Sequence, residues 1–428
     1  MDRRDFLKKS AKGAALAAAS SSLGFSFAQA WYGKSPNLLG EAKGNRVVII
    51  GGGWGGTTVA RQLLRSGGAE VVMIEQNPFF ISCPMSNLYL AGVKPLDFIT
   101  FEYSEAISEG MIFINERALE IDRDSKVVAT SAGNVSYDYL VLSPGIDYMN
   151  ESIEGFDEVA HLMPVGFKPF EHIALRRKIE NFEGGDFIIS IPKPPYRCPP
   201  GPYERVAMLA WYLKENLIPG KITVLDANNN PLAKANGFLA AYDELYGDYV
   251  EYIPNADVIG VDYAAKTVKT ADLGDFSFDL ANIIPQMKAG GIVQQAGLGE
   301  RWANIALPYF TAEGDDSVYL LGDIVGNLPV PKSGMIANSE GHIVAKQLAD
   351  RIAGKTKEES AIEMPSNICY SFVNEDEGIW VSADYGWNVG ESKVDRTASG
   401  LDEARTAANG ILAIEWARGL WGDMFGKS

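Results

Sequence analysis

Arg46-Val47-Val48-Ile49-Ile50-Gly51-Gly52-Gly53-Trp54-Gly55-Gly56 decides the fold of this 428-residue chain. The apolar run predicts a strand buried on both faces, because nothing in it alternates. The glycines after it fit G-x-G-x-x-G, with Gly51, Gly53 and Gly56 at the fixed places. Residues 57–65 read as a helix, with Val59, Leu63 and Leu64 on one side. Glu70-Val71-Val72-Met73-Ile74-Glu75 reads as the second strand, and Glu75 falls where an acid bonds ribose hydroxyls. A lone glycine motif is weak. Strand, glycine turn, helix, strand and terminal acid in this order predict a dinucleotide-binding βαβ unit, with a pyrophosphate approached by backbone at the helix start.

Two later stretches favour FAD over NAD. Tyr137-Asp138-Tyr139-Leu140-Val141-Leu142-Ser143-Pro144-Gly145 resembles the strand and turn of flavoproteins with two dinucleotide-binding domains. Ser317-Val318-Tyr319-Leu320-Leu321-Gly322-Asp323 resembles their second FAD motif, whose acid bonds the ribityl chain. Between them lies another βαβ pattern: Phe187-Ile188-Ile189-Ser190-Ile191, a helix-like stretch at 206–217, then Lys221-Ile222-Thr223-Val224-Leu225-Asp226. Its first loop lacks the glycine pattern and reads Pro192-Lys193-Pro194-Pro195-Tyr196-Arg197-Cys198-Pro199-Pro200-Gly201-Pro202. Prolines have no amide hydrogen to offer a phosphate. The second unit is therefore expected to keep a Rossmann-like fold without a nicotinamide site.

The chain holds three cysteines, Cys83, Cys198 and Cys369, and three histidines, His161, His172 and His342. There is no Cys-x-x-Cys and no Cys-x-x-Cys-His, so neither a zinc knuckle nor an attached c-type haem is encoded, and the histidines show no ligand spacing. No metal site and no haem on this chain are expected. What remains for the cysteines is sulfur redox chemistry, a covalent attachment point, or three inert buried thiols. Arg3-Arg4-Asp5-Phe6-Leu7-Lys8, an Ala-rich stretch at 11–23 and Ala28-Gln29-Ala30 predict a twin-arginine signal peptide over residues 1–30, hence export to the periplasm. A net charge of −17 excludes nucleic acid as a natural partner and suits a basic one. No later stretch reaches the roughly 18 apolar residues of a transmembrane segment.

With these runs in view, the chain resembles the flavoprotein (FAD-binding) subunit of flavocytochrome c sulfide dehydrogenase. The resemblance rests on Gly51–Gly56, on Ser82-Cys83-Pro84-Met85-Ser86-Asn87, and above all on Arg197-Cys198-Pro199-Pro200-Gly201-Pro202-Tyr203-Glu204-Arg205. It continues through Gly322-Asp323, Pro331-Lys332-Ser333-Gly334, Ala337-Asn338-Ser339, Cys369-Tyr370-Ser371 and Trp416. It implies FAD bound covalently through Cys83 and a redox-active disulfide between Cys198 and Cys369. Sulfide is the implied substrate, and a c-type cytochrome subunit the implied partner in a heterodimer. Pro84 follows Cys83 where the family pattern has an aromatic, and FAD held without a bond is the alternative. A sulfide:quinone oxidoreductase is the alternative function, kept open by the apolar character of residues 407–425.

Three further residues carry two readings each. Glu204 is either a proton acceptor for the sulfur chemistry, if burial raises its pKa, or an acid placed to suit a helix dipole. Trp416 either stacks near the flavin or packs in a helix with Leu420, Trp421 and Phe425. Lys332 lies either near the pyrimidine end of the flavin or in solvent. The expected architecture is α/β: two Rossmann-like dinucleotide-binding domains plus a C-terminal interface domain. The FAD-binding domain spans 31–155 and 275–355, the second domain 156–274, and the interface domain 356–428. Residues 272–285 are expected to supply the strand that returns to the FAD domain.

Overall fold

The structure is a computed structural model and describes residues 36–355 and 361–426. The signal peptide expected over residues 1–30 lies outside the described residues. Seven helices matter for the site: α1 (Trp54–Ser66), α2 (Ser86–Leu90), α3 (Pro169–Glu180), α4 (Gly201–Glu215), α5 (Ala235–Tyr246), α6 (Gly334–Ile352) and α7 (Ala407–Phe425).

The first unit is built on a seven-stranded sheet. Its order is Ile305–Ala306, Thr311–Ala312, Asp315–Leu320, Tyr139–Leu142, Asn45–Ile50, Ala69–Ile74 and Ile112–Ile114. The last five run parallel, and the first two form an antiparallel edge. Val47, Val48, Ile49, Leu140, Val141 and Leu142 are fully buried. Burial on both faces is why the sequence shows continuous apolar runs rather than alternation. The second unit repeats the plan with four parallel strands, ordered Val250–Pro254, Gly220–Asp226, Gly185–Ile191 and Leu280–Asn282.

Each unit inserts a three-stranded antiparallel meander just before one of its parallel strands, Tyr139–Leu142 in the first and Leu280–Asn282 in the second. The meander strands are Ala118–Asp122, Val127–Thr130 and Asn134–Ser136 in the first, and Val258–Asp262, Thr267–Thr270 and Asp275–Ser277 in the second. The chain therefore leaves the first unit and re-enters it, and the exit strand Ile146–Tyr148 pairs antiparallel with the re-entry strand Met287–Ala289. A third sheet, Ser366–Phe372, Gly378–Asn388 and Lys393–Thr406, carries α7.

Two details differ from the sequence expectation. Residues 272–285 do not return the chain to the first sheet. Leu280–Asn282 pairs with residues 187–189 of the second sheet, and the return comes at Met287–Ala289. A short buried strand has the same apolar pattern whichever parallel sheet receives it, so pattern alone could not place it. The helix expected at 206–217 begins at Gly201, inside the proline run. Pro202 sits in the first turn, where the missing amide hydrogen had no intrahelical partner to lose.

Candidate functional site

A groove of about 720 Å³ runs along the carboxyl ends of the first sheet's strands, where open α/β sheets bind ligands. Gly51, Gly53, Glu75, Gly145, Gly322 and Asp323 all line it, together with Ser333 and Gly334 at the start of α6. Gly53 caps α1 without any side-chain partner for the first-turn amides. Around Gly53 and Gly145 there is open space where a Cβ would stand. Gly56 works one layer down: a Cβ there would lie 1.9 Å from Gly51 O, so only glycine lets α1 pack against the turn. Glu75 Oε2 accepts from Gly52 N at 2.7 Å and Oε1 from Asn77 N at 2.7 Å, while burial raises its pKa. An open amide-ended helix start, a glycine cradle and a terminal acid fit an FAD molecule along this groove.

Lys332 does not line the groove. Its Nζ donates to Asp323 O at 2.8 Å and Val325 O at 2.7 Å and sits 3.9 Å from the Trp302 ring centroid. Burial lowers its pKa to about 8. It is neither solvated nor directed at the groove; it braces the Gly322-Asp323 turn. Glu340, which no sequence pattern singled out, does the same from α6. It accepts from Gly322 N at 2.5 Å, and burial raises its pKa to about 8.

Beside the groove lies a second, enclosed cavity of about 20 Å³, room for one water-sized species. Cys83, Cys198, Cys369, Glu204 and Trp416 all line it, and Phe167 lines both cavities. Each cysteine comes from a different unit. Cys83 precedes α2 in the first, Cys198 precedes α4 in the second, and Cys369 lies in the strand Ser366–Phe372 of the third sheet. Cys198 is held in the left-handed region at φ 57°. Its N–H donates to Lys332 O at 2.7 Å, and its carbonyl accepts from Gly201 N at 2.8 Å as α4 begins. Met85, two residues past Cys83, is also left-handed, at φ 71°. Such backbone costs about 1–3 kcal/mol per residue and persists where surroundings enforce it.

All three cysteines are free in this structure. The Cys83 and Cys198 thiols share a hydrogen bond, which lowers the pKa of Cys83 and raises that of Cys198. Arg197 and Arg205 favour the Cys83 thiolate further. Burial pushes the Cys369 thiol up, against the Lys234 ammonium. Lys234 was not found from sequence. It caps α5, is 3 % exposed, and donates to Cys369 O at 3.1 Å and Ser371 Oγ at 2.7 Å.

Glu204 is buried on α4, so it is not a solvated helix-start acid. Oε1 accepts from Phe372 N at 2.9 Å and Oε2 from Asn87 Nδ2 at 3.0 Å. Burial raises its pKa against those bonds. Trp416 lines the thiol cavity and not the groove, with its ring 5.7 Å from that of Tyr370. Leu420, Trp421 and Phe425 point to the first unit's core, where Trp421 and Phe425 meet Phe101 at 4.9 and 5.1 Å.

In the second unit, Asp226 stands where a nucleotide-binding acid would. Its Oδ2 accepts from Tyr203 OH at 2.9 Å and Tyr252 OH at 2.7 Å, and its Oδ1 from Asn228 N at 2.9 Å. Tyr196 and Tyr203 are fully buried beside it. Among the described residues no group of three or more His, Cys, Asp or Glu is placed to hold a metal ion, and no helix is long and apolar enough to cross a membrane.

Fold and groove together define an FAD-binding flavoprotein of the pyridine nucleotide-disulphide oxidoreductase class, whose family model matches residues 45–167. Two further models match by name: "Sulfide dehydrogenase [flavocytochrome c] flavoprotein chain, central" over residues 172–285, and "Flavocytochrome c sulphide dehydrogenase, flavin-binding" over residues 363–425. These matches support a flavoprotein chain of the flavocytochrome c sulfide dehydrogenase type, a flavin oxidoreductase acting on sulfide. Mitochondrial sulfide:quinone oxidoreductase from Mus musculus is 21 % identical over 71 % of this chain and 70 % of its own length. The Dictyostelium discoideum enzyme of the same name is 23 % identical over 84 % and 83 %. The solved sulfide:quinone oxidoreductase from Aquifex aeolicus shares the fold with a TM-score of 0.74, at 20 % identity over 90 % of this chain and 92 % of that one.

Proposed function

We propose that this chain is the catalytic subunit of a periplasmic sulfide dehydrogenase. It oxidises sulfide to zero-valent sulfur or polysulfide through Cys198, Cys369 and FAD, and passes electrons to a c-type cytochrome subunit. The observation that carries this reading is the meeting of three cysteines from three separate units, with Glu204, in one small cavity beside the FAD groove.

In the working cycle Cys198 and Cys369 are joined as a disulfide. HS⁻ attacks one of its sulfurs, the S–S bond breaks, and one cysteine persulfide and one thiolate remain. Re-forming the bond expels one zero-valent sulfur and two electrons from the two sulfur anions. FAD, when bound, takes that pair and returns electrons singly, which suits a haem acceptor. Glu204, with its raised pKa, takes the proton that H₂S or a persulfide gives up at neutral pH. Cys83 tethers FAD, as its place between the groove wall at Ile81 and the thiol cavity allows. Asp226, saturated by two tyrosines, and the proline loop leave sulfide rather than a nicotinamide as the electron source. The leader at residues 1–30 carries the folded, loaded protein out of the cytoplasm.

A quinone acceptor is the second reading, favoured by the likeness to sulfide:quinone oxidoreductases. Sulfide-dependent reduction is to be measured with soluble cytochrome c and the cytochrome subunit, and separately with a short-chain quinone. Reduction of cytochrome c and indifference to quinone is the expected result. Quinone reduction by this chain alone, without any cytochrome, would overturn the first reading.

A further inference from the structure

Lys234 joins the second unit to the third sheet, at 3 % exposure. It caps α5 in the left-handed region, at φ 55°, a backbone that glycine or asparagine would take at less cost. Its Nζ has two hydrogen-bond partners, both on the strand Ser366–Phe372: Cys369 O at 3.1 Å and Ser371 Oγ at 2.7 Å. Among the described residues no carboxylate oxygen lies within 4.0 Å of Nζ. A buried ammonium without a counter-ion is costly, and an uncharged donor would serve two neutral acceptors without that cost.

The contact leaves the Ser371 hydroxyl with a hydrogen to give. An ammonium has no lone pair, so in the 2.7 Å bond the hydroxyl accepts. Ser371 is fully buried, and its Oγ has no second partner among the described residues. It lines the thiol cavity, as Cys369 does. The two stand at i and i+2 of one strand, so their side chains leave the same face, with Cβ atoms about 7 Å apart. A small anion that accepts from the hydroxyl stands within reach of Cys369 Sγ. Trp416 lines the same cavity, and its buried Nε1–H has no acceptor among the described residues. Two unspent donor hydrogens and a buried positive charge beside so small a cavity suit an anion with one heavy atom.

We propose that Ser371 and Lys234 form the subsite that receives sulfide, as HS⁻, beside Cys369: the hydroxyl donates to the anion, and the ammonium behind it supplies the charge. This rests on the reading of the cavity as the place of sulfide chemistry and adds the residues that hold the substrate there. Ser371 touches the substrate; Lys234 acts through it as a positioning residue. The other charged groups on the cavity wall are engaged elsewhere. Both oxygens of Glu204 are bonded, by Phe372 N and Asn87 Nδ2. The terminal nitrogens of Arg205 donate to Val165 O, Asn282 Oδ1 and Gly166 O at 2.7–2.8 Å.

The test is anoxic rapid mixing of the full-length, FAD-loaded protein with a range of sulfide concentrations, from which flavin bleaching gives an apparent Kd and a limiting rate. Ser371→Ala and Lys234→Met should each raise the apparent Kd at least about tenfold, through loss of a charge-assisted hydrogen bond, and leave the limiting rate within about threefold. The double variant should lie within about threefold of the worse single one, because the two residues act as a unit. An unchanged Kd in Ser371→Ala overturns the proposal, also where Lys234→Met fails to fold. So does a lowered limiting rate with an unchanged Kd, which marks a structural role. A second readout does not depend on sulfide oxidation: diffraction from crystals soaked in concentrated bromide, a monovalent anion close to HS⁻ in size. Its anomalous signal should appear within hydrogen-bond distance of Ser371 Oγ in the wild type and vanish in Ser371→Ala. Absence of bromide at Ser371 in the wild type overturns the subsite. Bromide bound there in a wild-type protein whose flavin sulfide does not bleach refutes the sulfide reading of the cavity and leaves the anion subsite standing.

Discussion

Glu204 shows how one residue is prepared for its work. A carboxyl on a helix surface would titrate near 4; this one is walled in by Phe372, Asn87 and the thiols, and burial raises its pKa. A carboxyl whose pKa is higher in the folded than in the unfolded state opposes folding above the unfolded value, and that opposition grows until the folded pKa is passed. Glu204→Gln should therefore leave the melting temperature unchanged or raise it, while sulfide oxidation falls about 100-fold. The acid limb of its kcat/KM profile should also vanish. A variant that melts lower and keeps its rate would assign Glu204 to structure alone. Glu204 was legible in sequence because it follows Cys198 by six residues, near the start of the next helix. Lys234 was not: nothing around it forms a motif, and it reaches Cys369 only through the pairing of distant elements.

At the scale of elements, the decisive join is the loop from Tyr196 into α4. The proline run in the sequence implied a shaped loop without phosphate-binding amides, and the structure turns it into a rigid mount for one sulfur. A Cβ on Gly201 would stand 2.8 Å from Cys198 Sγ, so glycine is required where the helix starts. Gly201→Ala should push Sγ off its site, cutting sulfide oxidation at least about tenfold while the melting temperature moves by only a few degrees. Steady-state rates with thermal melts check this; full activity would mean that the sulfur tolerates displacement. The glycine turn before α1 was legible to the residue, because strand, turn and acid constrain one another within thirty positions of sequence. The strand Leu280–Asn282 was placed in the wrong sheet, because three buried residues carry no mark of which neighbour they will pair with.

Over the whole molecule, the thiol cavity exists only while three units stay docked. The third unit is tied down by Asp423 near the end of α7. Its carboxylate meets His342 Nε2 at 2.9 Å and Asn338 Nδ2 at 3.2 Å on α6, and Gln62 Nε2 and Arg65 Nη1, both at 3.2 Å, on α1. Burial alone would raise its pKa; the His342, Asn338 and Arg65 contacts outweigh burial and lower it to about 2. A depressed carboxylate gives stability that is full above the unfolded value near 4 and is lost as pH falls toward 2. Asp423→Asn should destabilise by about 1 kcal/mol at neutral pH, with the difference from wild type closing between about pH 4 and pH 2. Urea unfolding at a series of pH values reads this out, and a constant difference across the series would contradict it. That the cysteines converge was not readable from their positions in the chain; it entered the sequence reading through family resemblance, and the fold supplies the physical reason.

The central claim is that sulfide electrons reach the flavin through Cys198 and Cys369. Its most direct measurement is anoxic rapid mixing of sulfide with the FAD-loaded protein, following loss of the oxidised-flavin absorbance in wild type, Cys198→Ser and Cys369→Ser. Fast bleaching in wild type and none in either variant, with flavin content and melting temperature retained, is the predicted result. Bleaching at the wild-type rate in either serine variant would contradict the account.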